Sequence, residues 1–199
     1  MFASDGSGSY DPCGMYDHVD RIVYTREVIA ERVKELAGQV VGVYRDQRFV
    51  VAVVLKGAFI FAADLVRNLP EQVEVVFVRS RSYGNGTRPA GDPVVELPAD
   101  FDLTGRHVLL VEDIVDTGRT VAALKSAMVQ RGAATVRICA FLDKPQRREI
   151  AVDVEFTGFA LQSDAFVVGY GLDYAEEYRN LPFVGTLKPA SRSAPGSSS

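Results

Sequence analysis

The stretch VLLVEDIVDTGRT (108–120) holds the densest set of reactive side chains in the sequence. Glu112, Asp113 and Asp116 place three carboxylates within five residues, and Thr117, Gly118, Arg119 and Thr120 follow at once. Carboxylates so crowded repel one another unless a cation or a hydrogen-bond donor stands among them. Beside them a glycine, two hydroxyls and the first amides of a helix, opened by Thr120, supply the parts of a phosphate cradle. Together they suit a sugar phosphate, with acids for hydroxyls or a metal and amides for the phosphate. A plainer alternative has Asp116 capping the helix and the other two acids in solvent. It accounts for one acid and leaves the constellation unexplained.

Other phosphate motifs are missing. No GxxxxGK precedes a serine or threonine, no GxGxxG follows the first apolar strand, and the GYG at 169–171 has no helix pattern behind it. The cysteines, Cys13 and Cys139, lie far apart with no CxxC pair, which suits a reducing cytoplasm better than a disulfide framework. Of the two histidines, His107 sits in a strand-like apolar run and reads as structural, so histidine-based nucleophilic or metal chemistry has little to work with.

Around this segment the chain has the balance of a soluble globular protein, 47% hydrophobic and 24% charged over 199 residues. The net charge of −4 argues against a general nucleic-acid binder, which carries a basic excess. No signal-like amino terminus and no apolar run of membrane-spanning length occurs. Residues 1–15 and 189–199 read as disordered tails rich in glycine, serine and proline, flanking one domain over 16–188.

Helix and strand signals alternate through that domain. Thr25 caps a helix carrying Ile29, Val33 and Leu36, which Gly38 should end. FVVAVVL (49–55) reads as a strand buried on both faces, AFIFAADLVRNL (58–69) as a helix, and VEVVFVRS (73–80) and RHVLLV (106–111) as further strands. TVAALKSAMVQRG (120–132) is helical, ATVRICAFL (134–142) a strand, and VEFTGF and FVVGYG shorter ones. Such alternation implies an α/β fold, a mainly parallel central sheet with helices on both faces. Ligands then bind at the carboxyl ends of the strands, just after Leu55, Ser80, Val111 and Leu142. One long connection of about 24 residues, from near Arg81 to near Arg106, starts at such an end and reads as a lid.

VLLVEDIVDTGRT resembles the phosphoribosyl-pyrophosphate motif of type I phosphoribosyltransferases over all thirteen residues. VLKGAFIF (54–61), RSRSYGNGT (79–87), FLDKPQRRE (141–149) and FVVGYGLDYAEEYRNLPFVG (166–185) resemble the 6-oxopurine branch, the hypoxanthine phosphoribosyltransferases of bacterial type. The resemblance implies the type I fold with a small hood from the terminal segments, Mg²⁺ as cofactor, and phosphoribosyl pyrophosphate and a 6-oxopurine base as substrates. It also implies a homodimer or homotetramer.

Residue by residue, the resemblance gives Glu112 and Asp113 to the ribose hydroxyls, directly or through Mg²⁺, and Asp173 to a second metal position. Asp116 becomes the general base for the purine, and Asp116, Thr117, Gly118, Arg119 and Thr120 hold the 5′-phosphate, with arginine at 119 where lysine is common. Lys56, Gly57 and Arg179 bind pyrophosphate, and Ser82 and Tyr83 head the lid. Lys144 donates to the purine 6-oxo group, Phe166 stacks on the base and Val167 reads its edge through the backbone. In relatives the Leu55–Lys56 peptide can be cis. Tyr170, Tyr174 and Tyr178 read as packing.

Two rival readings share the 108–120 segment: a phosphoribosyltransferase for another base, and a regulatory RNA-binding protein of the same fold. The acidic balance and the purine-site matches at Lys144, Phe166 and Asp173 favour the hypoxanthine enzyme over the second.

Overall fold

The computed structural model describes residues 16–45, 47–81, 93–162 and 165–189. The tails, except Pro189, and the lid residues Ser82 and Tyr83 lie outside the described residues.

Six strands form the central sheet. They are β2 (Phe49–Leu55), β3 (Glu74–Arg81), β4 (Val94–Glu96), β5 (His107–Val115), β6 (Thr135–Asp143) and β7 (Phe156–Ala160), in the order β4-β3-β2-β5-β6-β7. All neighbours run parallel except the edge strand β4, which is antiparallel to β3. The expected long connection is therefore partly sheet. In register, Val53 stands opposite both Phe77 and Val111, and Val115 opposite Asp143, so the carboxyl ends of the four middle strands share one edge.

Alternate strand residues face two cores. Val51, Val53, Leu109, Val111 and Phe141 pack with helices α1 (Arg26–Tyr44) and α2 (Phe59–Val66). Val50, Ala52, Leu110 and Ile138 pack instead with Leu124 and Met128 of helix α3 (Arg119–Gln130). This is the expected parallel sheet with helices on both faces. A separate antiparallel sheet joins β1 (Val19–Tyr24), β9 (Val184–Leu187) and β8 (Val167–Val168), the hood built from the two ends of the domain. FVVGYG thus contributes to the hood and not to the central sheet.

Three boundaries in the central sheet and its helices differ from expectation by three residues or more. Helix α1 runs through Gly38 and Gly42 to Tyr44, because Val40 and Tyr44 are fully buried and their packing outweighs the glycine cost of about 0.5–1 kcal/mol each. Helix α2 stops at Val66, and a turn carries the chain to Pro70. Strand β5 continues through Glu112 and Asp113 to Val115, pairing with β6 as far as Asp143. His107 is structural as expected, its Nδ1 2.9 Å from Thr135 Oγ1 on the neighbouring strand. Cys139 is buried in β6.

Candidate active site

The adjacent ends of β2 and β5 carry the first two parts of the site. Lys56 and Gly57 turn the chain after Leu55, and the Leu55–Lys56 peptide is cis. Gly57 lies directly against Asp113, where a Cβ would fall 1.7 Å from Asp113 Oδ2. On the other side Gly171, at φ 101°, approaches so closely that its own Cβ would fall 2.1 Å from Gly57 O. Only glycine fits at 171, and at 57 an added carbon would displace either the Asp113 carboxylate or the turn.

Glu112 is 7% exposed, and its Oε2 makes no hydrogen bond. Burial, and then the neighbouring charge of Asp113, push its carboxyl well above the usual carboxylate range. Asp113 Oδ1 accepts from the Ile114 N–H at 2.9 Å. The alternative of solvated acids and an Asp116 cap is overturned. Glu112 is buried, and the residue at the α3 N-cap is Gly118, with no side-chain cap. The helix accordingly opens at Arg119, one residue before Thr120. Gly118 is left-handed at φ 84°, with Ile150 O only 2.6 Å from where a Cβ would stand.

Between β5 and α3 lies a small hollow of about 80 Å³ lined by Asp116, Thr117, Gly118, Thr120 and Val121 with the end of β5. The first N–H groups of a helix have no acceptor within it, so the hollow faces donors suited to a phosphate. The segment 143–150 braces this loop from outside. Lys144 N–H donates to Val115 O at 2.9 Å, and Thr117 O accepts from the N–H groups of Glu149 and Ile150 at 2.9 and 3.1 Å. The Arg148 guanidinium donates to Val115 O at 2.8 Å, to Asp116 O and to the Asp143 carboxylate. Arg147 Nε stands 2.8 Å from Asp116 Oδ1. Arg119 pairs with Glu149 at 3.3 Å.

Lys144 is 7% exposed rather than a surface lysine, and its Nζ donates to Ala165 O at 3.1 Å. Next in the chain, Phe166 is exposed just before β8 and meets Tyr174 edge-on at 5.6 Å, while Val167 is buried. A tight segment then brings Asp173, Glu176 and Arg179 together. Tyr170, Ala175, Glu176 and Tyr178 all take positive φ there. Arg179 Nη1 reaches Gly171 O at 2.9 Å and Asp173 Oδ1 at 3.0 Å, while its buried Nε makes no hydrogen bond. Lys56, Arg79, Ser80, Glu176 and Arg179 line a cleft of about 340 Å³ at the end of β2.

The described residues expected at the site therefore gather at one sheet edge and its hood. Sequence reading missed Arg148, Glu176 and Arg79. Arg148 lies within the FLDKPQRRE segment, but nothing in a polar loop distinguishes a buried brace from a solvated arginine.

The chain belongs to the phosphoribosyltransferase family: the family model for the phosphoribosyl transferase domain matches residues 21–175. Within it, the relatives include hypoxanthine and hypoxanthine-guanine phosphoribosyltransferases. The hypoxanthine-guanine phosphoribosyltransferase of Bacillus subtilis (strain 168) is 40% identical over 176 residues, 88% of this chain and 97% of that protein. The hypoxanthine phosphoribosyltransferase of Haemophilus influenzae is 42% identical over 173 residues, 85% of this chain and 96% of that one. The crystal structure of a Staphylococcus aureus hypoxanthine phosphoribosyltransferase superposes with a TM-score of 0.86 at 33% identity, covering 92% of this chain and 100% of that one.

Proposed function

We propose that this chain carries out purine salvage, transferring the phosphoribosyl group of phosphoribosyl pyrophosphate to hypoxanthine, and also to guanine. The products are IMP or GMP and pyrophosphate. The observation that carries this reading is the backbone bond from Lys144 N–H to Val115 O. It fixes a lysine suited to a 6-oxo group one strand away from the phosphate loop that starts at Asp116.

In the reaction the bond from the anomeric carbon to pyrophosphate breaks and a bond to the purine imidazole nitrogen forms. Positive charge builds on the ribose and negative charge on the leaving group. Thr117, Gly118, Arg119 and Thr120 hold the 5′-phosphate against the α3 amides. Glu112 and Asp113 take the ribose hydroxyls. Lys56 and Arg179 receive the pyrophosphate. Asp116 accepts the proton that the purine loses. Lys144 donates to the 6-oxo oxygen, where adenine offers an amino group instead, Phe166 stacks on the base, and Val167 reads its edge.

Mg²⁺ fits the donor set. Among the described residues no three His, Cys, Asp or Glu side chains come together as a protein-only metal cage. Mg²⁺ commonly binds through one or two carboxylates plus substrate oxygens and water. Glu112, with its buried unpartnered Oε2, and Asp113 form one acidic position, and Asp173 provides another. When bound, Mg²⁺ neutralises charge on the pyrophosphate. Among the described residues no helix is long and apolar enough to cross a membrane. We place the reaction in the cytoplasm, with a homodimer or homotetramer as the working assembly.

The test mixes the protein, Mg²⁺ and phosphoribosyl pyrophosphate with hypoxanthine, guanine, xanthine or adenine in turn. Nucleotide should form with hypoxanthine and guanine. Its absence with all the 6-oxopurines would overturn the proposal.

A further inference from the structure

Lys56 and Arg179, assigned above to the pyrophosphate, already hold an anion of the chain's own. The Glu176 carboxylate lies between them, Oε2 2.8 Å from Lys56 Nζ and Oε1 3.3 Å from Arg179 Nη2. The turn that carries it is built for this. Glu176 N–H donates to Asp173 Oδ2 at 2.9 Å, and both Ala175 and Glu176 are left-handed, at φ 53° and 68°. Arg179 is fixed from behind by Gly171 O and Asp173. All three charged groups line the same 340 Å³ cleft at the end of β2.

We propose that Glu176 is a built-in competitor of the pyrophosphate group. Its carboxylate neutralises Lys56 and Arg179 while the cleft is empty, gives way when the pyrophosphate end of the substrate enters, and returns to help expel the product. This rests on the pyrophosphate reading of the cleft.

The strengths of the contacts suit such an exchange. The Lys56 and Glu176 side chains are 68% and 64% exposed, so their pair is weak and easily broken. Arg179 is only 17% exposed and keeps an unpaired Nε, so it stays in place and gains from a more highly charged oxyanion. Exchange then costs Glu176 its two weak pairs on entry and recovers them on release. Substrate affinity falls and product release quickens.

The test is calorimetric titration of the full chain with pyrophosphate, with and without Mg²⁺, alongside steady-state kinetics. Glu176→Gln keeps the shape and the backbone bond but removes the charge. It should bind pyrophosphate about fivefold more tightly, the equivalent of the weak pairs removed, and lower the KM for phosphoribosyl pyrophosphate alike. Glu177→Gln, which removes the same charge from the exposed neighbour, should change binding less than about twofold. Equal affinity of Glu176→Gln and the unaltered protein would overturn the competitor role. So would an equal gain in Glu177→Gln, which would reduce the effect to general charge. Weaker binding by Glu176→Gln would make the carboxylate a helper of the ligand and likewise overturn it. Binding by neither the unaltered protein nor Glu176→Gln would instead overturn the pyrophosphate reading itself.

Discussion

Asp113 rests its carboxylate on the Cα of Gly57, so that a single added carbon at position 57 would stand 1.7 Å from Asp113 Oδ2. The contact joins two neighbouring parallel strands at their carboxyl ends, since β2 delivers the Lys56–Gly57 turn and β5 the acids. The position of Asp113 and that of the Lys56–Gly57 turn are therefore set by one glycine.

Gly57→Ala should uncouple them. Either Asp113 swings aside or the 55–57 turn moves, and displacements of about 1 Å in a positioned site cost on the order of 10²-fold. We expect kcat/KM for phosphoribosyl pyrophosphate to fall by about that factor while the protein stays folded. Steady-state kinetics with thermal unfolding as the control would check this. Near-native turnover would show that the contact does not position Asp113.

Much of this was legible in the sequence because the relevant residues are consecutive. FVVAVVL is an uninterrupted apolar run and forms β2 over the same residues, 49–55. The 112–120 acids, glycine and hydroxyls sit in one strand–loop–helix unit, so their types and order suffice. The supports are different. Arg148 reaches carbonyls 33 and 32 positions earlier in the chain, and Glu176 meets Lys56 across 120 residues. Such contacts depend on how loops fold over the sheet edge, which no periodicity encodes. The hood escaped detailed reading for the same reason, as β1 pairs with β9 from the far end of the chain. Gly38 misled because local propensity is weak beside the burial of Val40 and Tyr44.

Asp116 is the residue whose chemistry can be tested most directly. Asp116→Asn keeps the side-chain shape and removes the proton acceptor. Turnover should drop by about 10²-fold or more, with a smaller change in the KM for phosphoribosyl pyrophosphate. Because Arg147 pairs with the same carboxylate at 2.8 Å and both side chains are partly exposed, thermal stability should shift by less than about 1 kcal/mol. Near-native kcat would remove Asp116 from the role of base.

Arg148 should matter to both fold and substrate. It is 16% exposed, pairs with Asp143 and holds the carbonyls of Val115 and Asp116. Arg148→Met removes the charge and leaves the Asp143 carboxylate largely buried, a loss of about 3 kcal/mol by the usual cost of breaking such pairs. The KM for phosphoribosyl pyrophosphate should rise as the loop loosens. Arg148→Lys should restore little, because one ammonium cannot match a planar guanidinium serving three acceptors. Urea unfolding of the single variants and of the double variant with Asp143→Asn would separate the pair from the carbonyl contacts. A loss below about 1 kcal/mol in Arg148→Met would contradict the bracing role.

Alkaline stability offers a check on the packing behind the site. Tyr44, fully buried at the end of α1, donates its hydroxyl to Val108 O at 3.0 Å, at the start of the strand that carries the acids. Burial pushes the phenol up from 10.0 to about 12. The folded protein therefore keeps the proton over a range in which the unfolded chain has lost it. The resulting stability is fully present below pH 10.0 and is lost as pH rises from there through about 12. Tyr44→Phe should remove this part of the alkaline decline. At neutral pH it should cost about 1 kcal/mol, for the lost hydrogen bond. Urea unfolding of both proteins between pH 8 and 11 measures the difference directly. It should narrow steadily above pH 10, and a constant gap across that range would show that Tyr44 ionises no differently in the folded and unfolded chains.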